Sequence, residues 1–153
     1  MALADLLQQD AIIPALKVNS KKQLLQELAA RASRITGVPE REVFDVILQR
    51  ERLGSTGVGH GIAIPHGKLA SINTIVGVFA RLENAVDFEA LDDQPVDLVF
   101  LLLAPEGAGA DHLKALSRIA RVLRDPELVA KLRATESDTA IYTFLNQEQA
   151  TAA

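Results

Sequence analysis

The 153-residue chain has no cysteine, no tryptophan, one methionine and one tyrosine. Without cysteine, disulfides, thiolate catalysis, iron–sulfur clusters and cysteine-based zinc sites are all excluded. Aromatic residues make up 4% of the chain, a poor supply for stacking single-stranded bases. Positive charge is not in surplus either. Lys and Arg number 16 against 20 Asp and Glu, a formal net charge of −4, whereas a generic nucleic-acid binder presents a basic surface. No run approaches the roughly 18–20 apolar residues that span a bilayer. The first ten residues, MALADLLQQD, lack the basic segment and apolar run of a secretory signal. Together these absences lead us to expect a cytoplasmic protein that neither enters membranes nor binds nucleic acid. What is present is 48% apolar and 24% charged residues, enough to bury one sizeable core at a length that fits one domain, 1–153. No repeat, low-complexity block or linker divides the chain, and Gln149–Ala153 reads as a frayed end.

Hydrophobic periodicity supplies the elements. Residues 20–36 read as a helix: Ser20 and Gln23 have capping-box spacing, Leu24, Leu25, Leu28, Ala32 and Ile35 recur at helical intervals, and Gly37 is a stop. Pro39 sits at a first helical position, and Val43, Phe44, Ile47 and Leu48 form the apolar face of a second helix running out near Arg50–Leu53. Gly54–Gly61 (GSTGVGHG) holds four glycines in eight residues and reads as a loop. Ile62–Ile64 reads as a short strand stopped by Pro65. Asn73–Leu82 and Asp97–Ala104 read as strands apolar on both faces, which requires helices on both sides of the sheet. Val86–Phe88 reads as a short edge strand of a hairpin. Asp111 is the cap of a helix carrying Leu113, Leu116, Ile119, Ala120 and Leu123. Asp125-Pro126-Glu127 opens another helix, and Ser137 caps a last one through Ile141, Phe144 and Leu145. The order implies an α/β layered fold with a mixed sheet flanked by helices on both faces.

With this composition, unusual chemistry falls to three histidines, the carboxylates, the arginines and the glycine loops. His66, in IAIPHGKL, follows a stiff proline and precedes a glycine. It is either a surface histidine in a turn or an imidazole held rigidly yet within reach of a large partner. Ser55, Thr56, Gly57 and Gly59 offer hydroxyls and unencumbered amides that can surround an anion as a backbone nest does. The segment is neither a Walker loop nor a dinucleotide fingerprint. Arg50 and Arg52, at the predicted helix end, either complement the helix dipole or offer a guanidinium fork to a phosphate. His112 lies in a helix first turn after a buried strand, where partial positive charge disfavours imidazolium. His60 reads as a loop residue. A rigid, neutral imidazole is a nucleophile. Surrounded by hydroxyls, amides, an arginine and a second histidine, it suits phosphate passed between two imidazoles better than ATP hydrolysis, since no pair of carboxylates is placed for Mg²⁺.

At these residues the chain resembles a known family. GSTGVGHGIAIPHGKL, with DHLKALSRIARVLRD downstream, is similar to the IIA domains of the mannitol–fructose class in the phosphoenolpyruvate-dependent phosphotransferase system. RERLGSTGVGHGIAIPH resembles the nitrogen-type branch in particular, and the likeness covers roughly residues 3–147. It implies a mixed, mostly five-stranded sheet flanked by helices. It implies that His66 accepts a phosphoryl group on a ring nitrogen, that His112 supports it, and that Arg50, sixteen positions before His66, belongs to the site. It implies a phosphorylated HPr-like carrier as donor, charged by a dedicated enzyme I. Targets regulated by phosphorylation state would include potassium transport and its sensor kinase, and nitrogen or stress responses. No cofactor or metal is implied. His60 departs from the asparagine-like residue more usual at its position.

A phosphoryl group adds about −1.5 to −2 charges at one surface spot, and a few kilocalories of differential affinity switch a contact. Val58, Ile62 and Leu69 are expected to ring His66 as a docking surface, with burial in the core as the competing reading. Three other functions remain open. One is a sugar-specific IIA module passing phosphate to a IIB protein. Another is a metal hydrolase built on His60, His66, His112 and Asp111, although no metal-ligand spacing supports it. The third is a module that binds an anion or peptide without catalysis.

Overall fold

The computed structural model describes residues 3–151. A one-turn helix α1 (Leu3–Leu6) and a 3-10 turn (Gln9–Ala11) lead into strand β1 (Ile12–Leu16). Helix α2 (Lys21–Thr36) starts where Ser20 Oγ accepts the Gln23 N–H at 3.1 Å. Gln23 Oε1 reaches back to the Asn19 N–H at 2.7 Å, one residue before the cap. The helix ends at Gly37, whose φ of 80° turns the chain left-handed. Helix α3 (Glu40–Arg52) has Pro39 as its N-cap rather than its first residue. Both helices bury the apolar stripes that the spacing predicts, Leu24–Leu25–Leu28–Ala32 and Val43–Ile47.

The sheet combines β1, β2 (Gly57–Gly59), β3 (Ile62–Ala63), β4 (His66–Leu69), β5 (Val76–Val86) and β6 (Val96–Pro105) in the order β1-β5-β6-β3-β2, with β4 also paired to β6. β5 and β6 form an antiparallel hairpin from Val76↔Leu103 to Val86↔Val96. Val86 therefore ends the long strand, and no separate 86–88 strand forms. The polar residues Arg81, Glu83 and Asn84 mask this extension, because backbone pairing continues past them with a register shift. β1 runs parallel to β5, and β3 and β4 run parallel to β6 along the same edge. Every residue from Leu98 to Ala104 is fully buried, as strands covered on both faces must be.

Three sequence expectations change here. The glycine segment is not all loop, since β2 pairs antiparallel with β3. Its two-residue turn, His60-Gly61, has φ of 58° and 80°, the positive pair that a type I′ hairpin requires. Pro65 lies in the gap between β3 and β4 but does not end the pairing with β6. Its missing N–H interrupts β3, but its carbonyl accepts the Leu102 N–H at 2.9 Å and pairing resumes at His66. β1, unassigned from the sequence, completes a six-stranded sheet.

Helices α4 (Ala110–Val122), α5 (Pro126–Arg133) and α6 (Asp138–Thr151) follow. Gly109, not Asp111, occupies the α4 N-cap, because the turn needs its φ of 47°. Asp125 caps α5 by accepting from the Glu127 and Leu128 amides, with Pro126 at N1. Ser137 Oγ accepts the Ala140 N–H at 3.2 Å. The α6 backbone is helical through Thr151, so Gln149–Thr151 do not fray as expected; the remainder of that expectation, Ala152 and Ala153, lies outside the described residues. Gly67 of β4 abuts Val46 of α3, while its neighbour His66 meets His112 of α4. Successive strand residues point to opposite faces, so α3 and α4 lie on opposite sides of the sheet. His66 stands at the break between β3 and β4, within reach of both layers.

Candidate functional site

His66 opens β4 directly after Pro65, and both of its ring nitrogens have partners. Nδ1 lies 2.9 Å from the Ile64 carbonyl. A carbonyl only accepts, so Nδ1 carries the proton and Nε2 keeps the lone pair. Arg50 Nε donates to that Nε2 at 3.3 Å, while Arg50 Nη1 donates to the Gly54 carbonyl at 2.9 Å. The last turn of α3 thus delivers a cation braced at one end and aimed at the imidazole at the other. His112 closes the group from the first turn of α4, its ring centroid 5.6 Å from that of His66 and the rings nearly perpendicular at 79°.

Only 8% of His112 is exposed. Burial pushes its pKa below the ordinary 6.5, with smaller contributions from His66 and Lys68. Burial leads among these causes, where the sequence reading invoked the helix dipole. The α4 face is also rotated from the predicted one: His112, Ala115, Ile119 and Val122 are buried, while Leu113 is 67% exposed. A depressed histidine pKa means that the unfolded chain takes up a proton before the native one does. Stability is therefore full above about pH 6.5 and falls as pH drops from there through the native pKa. His112→Gln should flatten that part of the curve. Denaturant midpoints measured between pH 7.5 and 5 for both proteins check this, and parallel curves would count against it.

The glycine segment serves a different purpose from the anticipated nest. The Ser55 hydroxyl donates to the Phe88 carbonyl at 2.8 Å and accepts the Gly57 N–H at 3.1 Å. The Thr56 N–H and hydroxyl both go to the Glu51 carboxylate. These donors are already engaged within the fold, so the segment frames the site. Gly57 is needed for close packing, because a Cβ there would lie 2.7 Å from the Ala90 Cβ. Of the residues expected to ring His66, Val58 is 53% exposed, whereas Ile62 and Leu69 are buried in the core.

His60 stands apart from the histidine pair. Its N–H donates to Asp92 Oδ2 at 3.0 Å and its carbonyl accepts from Arg133 Nη2 at 2.6 Å. The His60 and Gln94 amides hold the Asp92 carboxyl below its usual range. His60 lines a groove of about 780 Å³ between the β2–β3 turn and the α4–α5 corner. Among the described residues no three His, Asp or Glu side chains are grouped to hold a metal ion, so the three-histidine hydrolase has no ligand set. Among the same residues no helix is long and apolar enough to cross a membrane.

The sequence reading missed Glu51, a carboxylate that is only 7% exposed beneath this site. Its signal was available: Val43, Ile47 and Glu51 fall at four-residue steps on the buried face of α3.

Comparison with known proteins finds one family over nearly the whole chain. Residues 5–148 match the family described as phosphoenolpyruvate-dependent sugar phosphotransferase system, EIIA 2, and the chain belongs to that family, whose members are phosphotransfer components. It is 64% identical, over the whole of both chains, to a nitrogen regulatory protein of Bradyrhizobium diazoefficiens. The solved nitrogen regulatory protein IIA-Ntr of Neisseria meningitidis superposes with a TM-score of 0.89 at 35% identity, covering 94% of this chain and 98% of that one. The mannitol IIA protein of Escherichia coli shares the fold, with a TM-score of 0.77 at 23% identity over 90% of this chain and 97% of that one.

Proposed function

We propose that the chain acts as one IIA domain, a cytoplasmic phosphohistidine carrier and regulator of the nitrogen-type phosphotransferase branch. It takes a phosphoryl group from a phosphorylated HPr-like carrier onto His66. It then regulates targets, among them potassium transport and its sensor kinase and nitrogen and stress responses, according to its phosphorylation state. The observation that carries this reading is the fixed tautomer: the Ile64 carbonyl holds the Nδ1 proton, so the Nε2 lone pair points away from the backbone beside Arg50.

The step balances without a metal or cofactor. Nε2 attacks the phosphorus of a donor whose phosphorylated ring is protonated on its other nitrogen; the donor's N–P bond breaks, and a neutral imidazole leaves with the electron pair. The His66 ring becomes cationic on gaining PO₃, and the Nδ1–H···O=C bond strengthens with that charge. Arg50 turns from Nε2 to the phosphoryl oxygens, where a planar fork fits. His112, kept neutral by burial, adds a polar edge to the phosphate without a proton that must first be lost. A partner seated over His66 then meets a dianionic phosphoryl group, offset only in part by the cationic ring behind it, where an uncharged ring had been.

Incubation with enzyme I, its HPr-like carrier and labelled phosphoenolpyruvate tests the proposal. An acid-labile, base-stable label on the peptide bearing His66 is expected, and a label elsewhere or none contradicts it. Onward transfer to a sugar-specific IIB protein would instead favour the sugar-transport version of the same chemistry. In this assay Arg50→Lys should slow uptake about tenfold, roughly 1.4 kcal/mol of barrier. Lysine keeps the charge but cannot contact the Gly54 carbonyl and the imidazole together. Wild-type uptake would reduce Arg50 to a helix-end cation.

A further inference from the structure

We propose that Glu51 is a positioning residue for phosphoryl transfer, its buried carboxylate anchoring the Gly54–Thr56 turn from which the two hydrogen-bond arms that orient the His66 ring both start. This rests on the reading of His66 as acceptor. One arm reaches Nε2: Arg50 is braced on the Gly54 carbonyl, and the Gly54 N–H is held at 3.1 Å by the Glu51 carbonyl. The other reaches Nδ1: its acceptor Ile64 is fixed by an N–H bond of 3.0 Å to the Thr56 carbonyl. Thr56 is gripped in turn by both carboxylate oxygens of Glu51. Oε1 takes its N–H at 3.1 Å and Oε2 takes its hydroxyl. Both arms therefore originate in the Gly54–Thr56 turn, and Glu51 sets the position of that turn against α3.

The carboxylate's charge is balanced by Lys21, whose Nζ lies 3.0 Å from Oε1 and 4.5 Å over the Phe88 ring. The Phe88 carbonyl accepts the Ser55 hydroxyl, so each residue of the turn is held. An apolar side chain at 51 would extend the Val43–Ile47 stripe without the desolvation cost of a buried charge. What the carboxylate adds is direction, two acceptors fixing one residue's amide and hydroxyl. Reacting groups lose large factors in rate when misplaced by about 1 Å.

The test is single-turnover uptake from the phosphorylated carrier, run over a range of carrier concentrations. Glu51→Gln, Thr56→Val and Thr56→Ser are compared with the parent chain, alongside ¹⁵N spectra of the His66 imidazole. We expect the maximal rate to fall about tenfold or more in Glu51→Gln and Thr56→Val, with half-saturation within about twofold. Thr56→Ser should restore the rate. In the slow variants the imidazole should change from one Nδ1–H tautomer to a mixture. Glu51→Gln combined with Arg50→Ala should be slower than Arg50→Ala alone, but by less than the factor that Glu51→Gln costs in the parent chain, because one of the two arms is already gone. Additive losses, or an unchanged rate and tautomer, would overturn the proposal. Should Glu51→Gln fail to fold, the valine and serine pair at Thr56 decides. Should the parent chain accept no phosphoryl group, the acceptor reading fails, while the tautomer spectra still judge the positioning role.

Discussion

His66→Ala should take up no label from the phosphorylated carrier, while remaining folded. The loss is complete rather than graded because no neighbour can replace the nucleophile. Arg50 is a cation without a lone pair to offer. His112 is 8% exposed, its ring set nearly perpendicular to that of His66 within the first turn of α4. His60 sits at a separate turn tied to Asp92 and Arg133. His66 itself is half-buried, so water can satisfy the freed Ile64 carbonyl, and stability should change by no more than about 1 kcal/mol. Label counting and a denaturant melt on the same preparation check both halves. Residual uptake at the parent rate would mean that another group is the acceptor.

The second large effect is expected at Gly67. Judged by strand propensity alone, replacing a mid-strand glycine with valine should stabilise by about 1 kcal/mol or less. The packing predicts the reverse. A Cβ at 67 would sit 2.5 Å from Val46 Cγ1, a stiff β-branched side chain on α3. Gly67→Val must push α3 off β4, at a cost near the upper end of the roughly 1–3 kcal/mol seen for overpacking. Since Arg50 lies in the last turn of α3, the same displacement should draw the guanidinium from Nε2 and slow uptake. Val46→Ala in the same chain should recover much of the stability and rate, because the two sites share one contact. A stable, fully active Gly67→Val protein would show that α3 does not seat directly on this strand.

The parts of the fold that are regular in sequence were legible. α2, α3, α5 and the central strands follow from apolar spacing and from side-chain caps at Ser20 and Asp125. What stayed hidden depended on pairing rather than propensity. β2 is two glycines around Val58, and only its ladder with β3 and the His60-Gly61 turn make it a strand. Pro65 reads as a strand stop because its N–H is missing, yet its carbonyl still serves β6. β1 is five residues with a proline at its centre, too short for a period-two signal.

The site divided in the same way. Arg50 and His112 each stand beside His66, Arg50 Nε at 3.3 Å from its Nε2 and the His112 ring centroid at 5.6 Å from its own. Ser55 and Thr56 were singled out for their hydroxyls, but these groups serve the fold because Phe88 and Glu51 meet them first. No local pattern around residues 55 and 56 shows those partners, since Phe88 arrives from the far end of β5. Glu51 was within reach of a closer reading of the α3 stripe. A carboxylate at a buried helical position needs a cation and donors, and Lys21 and Thr56 supply them.

The most direct measurement of the central claim is the identity of the phosphorylated nitrogen. The chain, labelled with ¹⁵N in its histidines and phosphorylated by its carrier, can be examined by heteronuclear NMR for coupling between phosphorus and each ring nitrogen. The account predicts coupling to Nε2 of His66, with the Nδ1 proton retained and still bonded to the Ile64 carbonyl. Phosphorus bound to Nδ1, or to any ring other than that of His66, would contradict it.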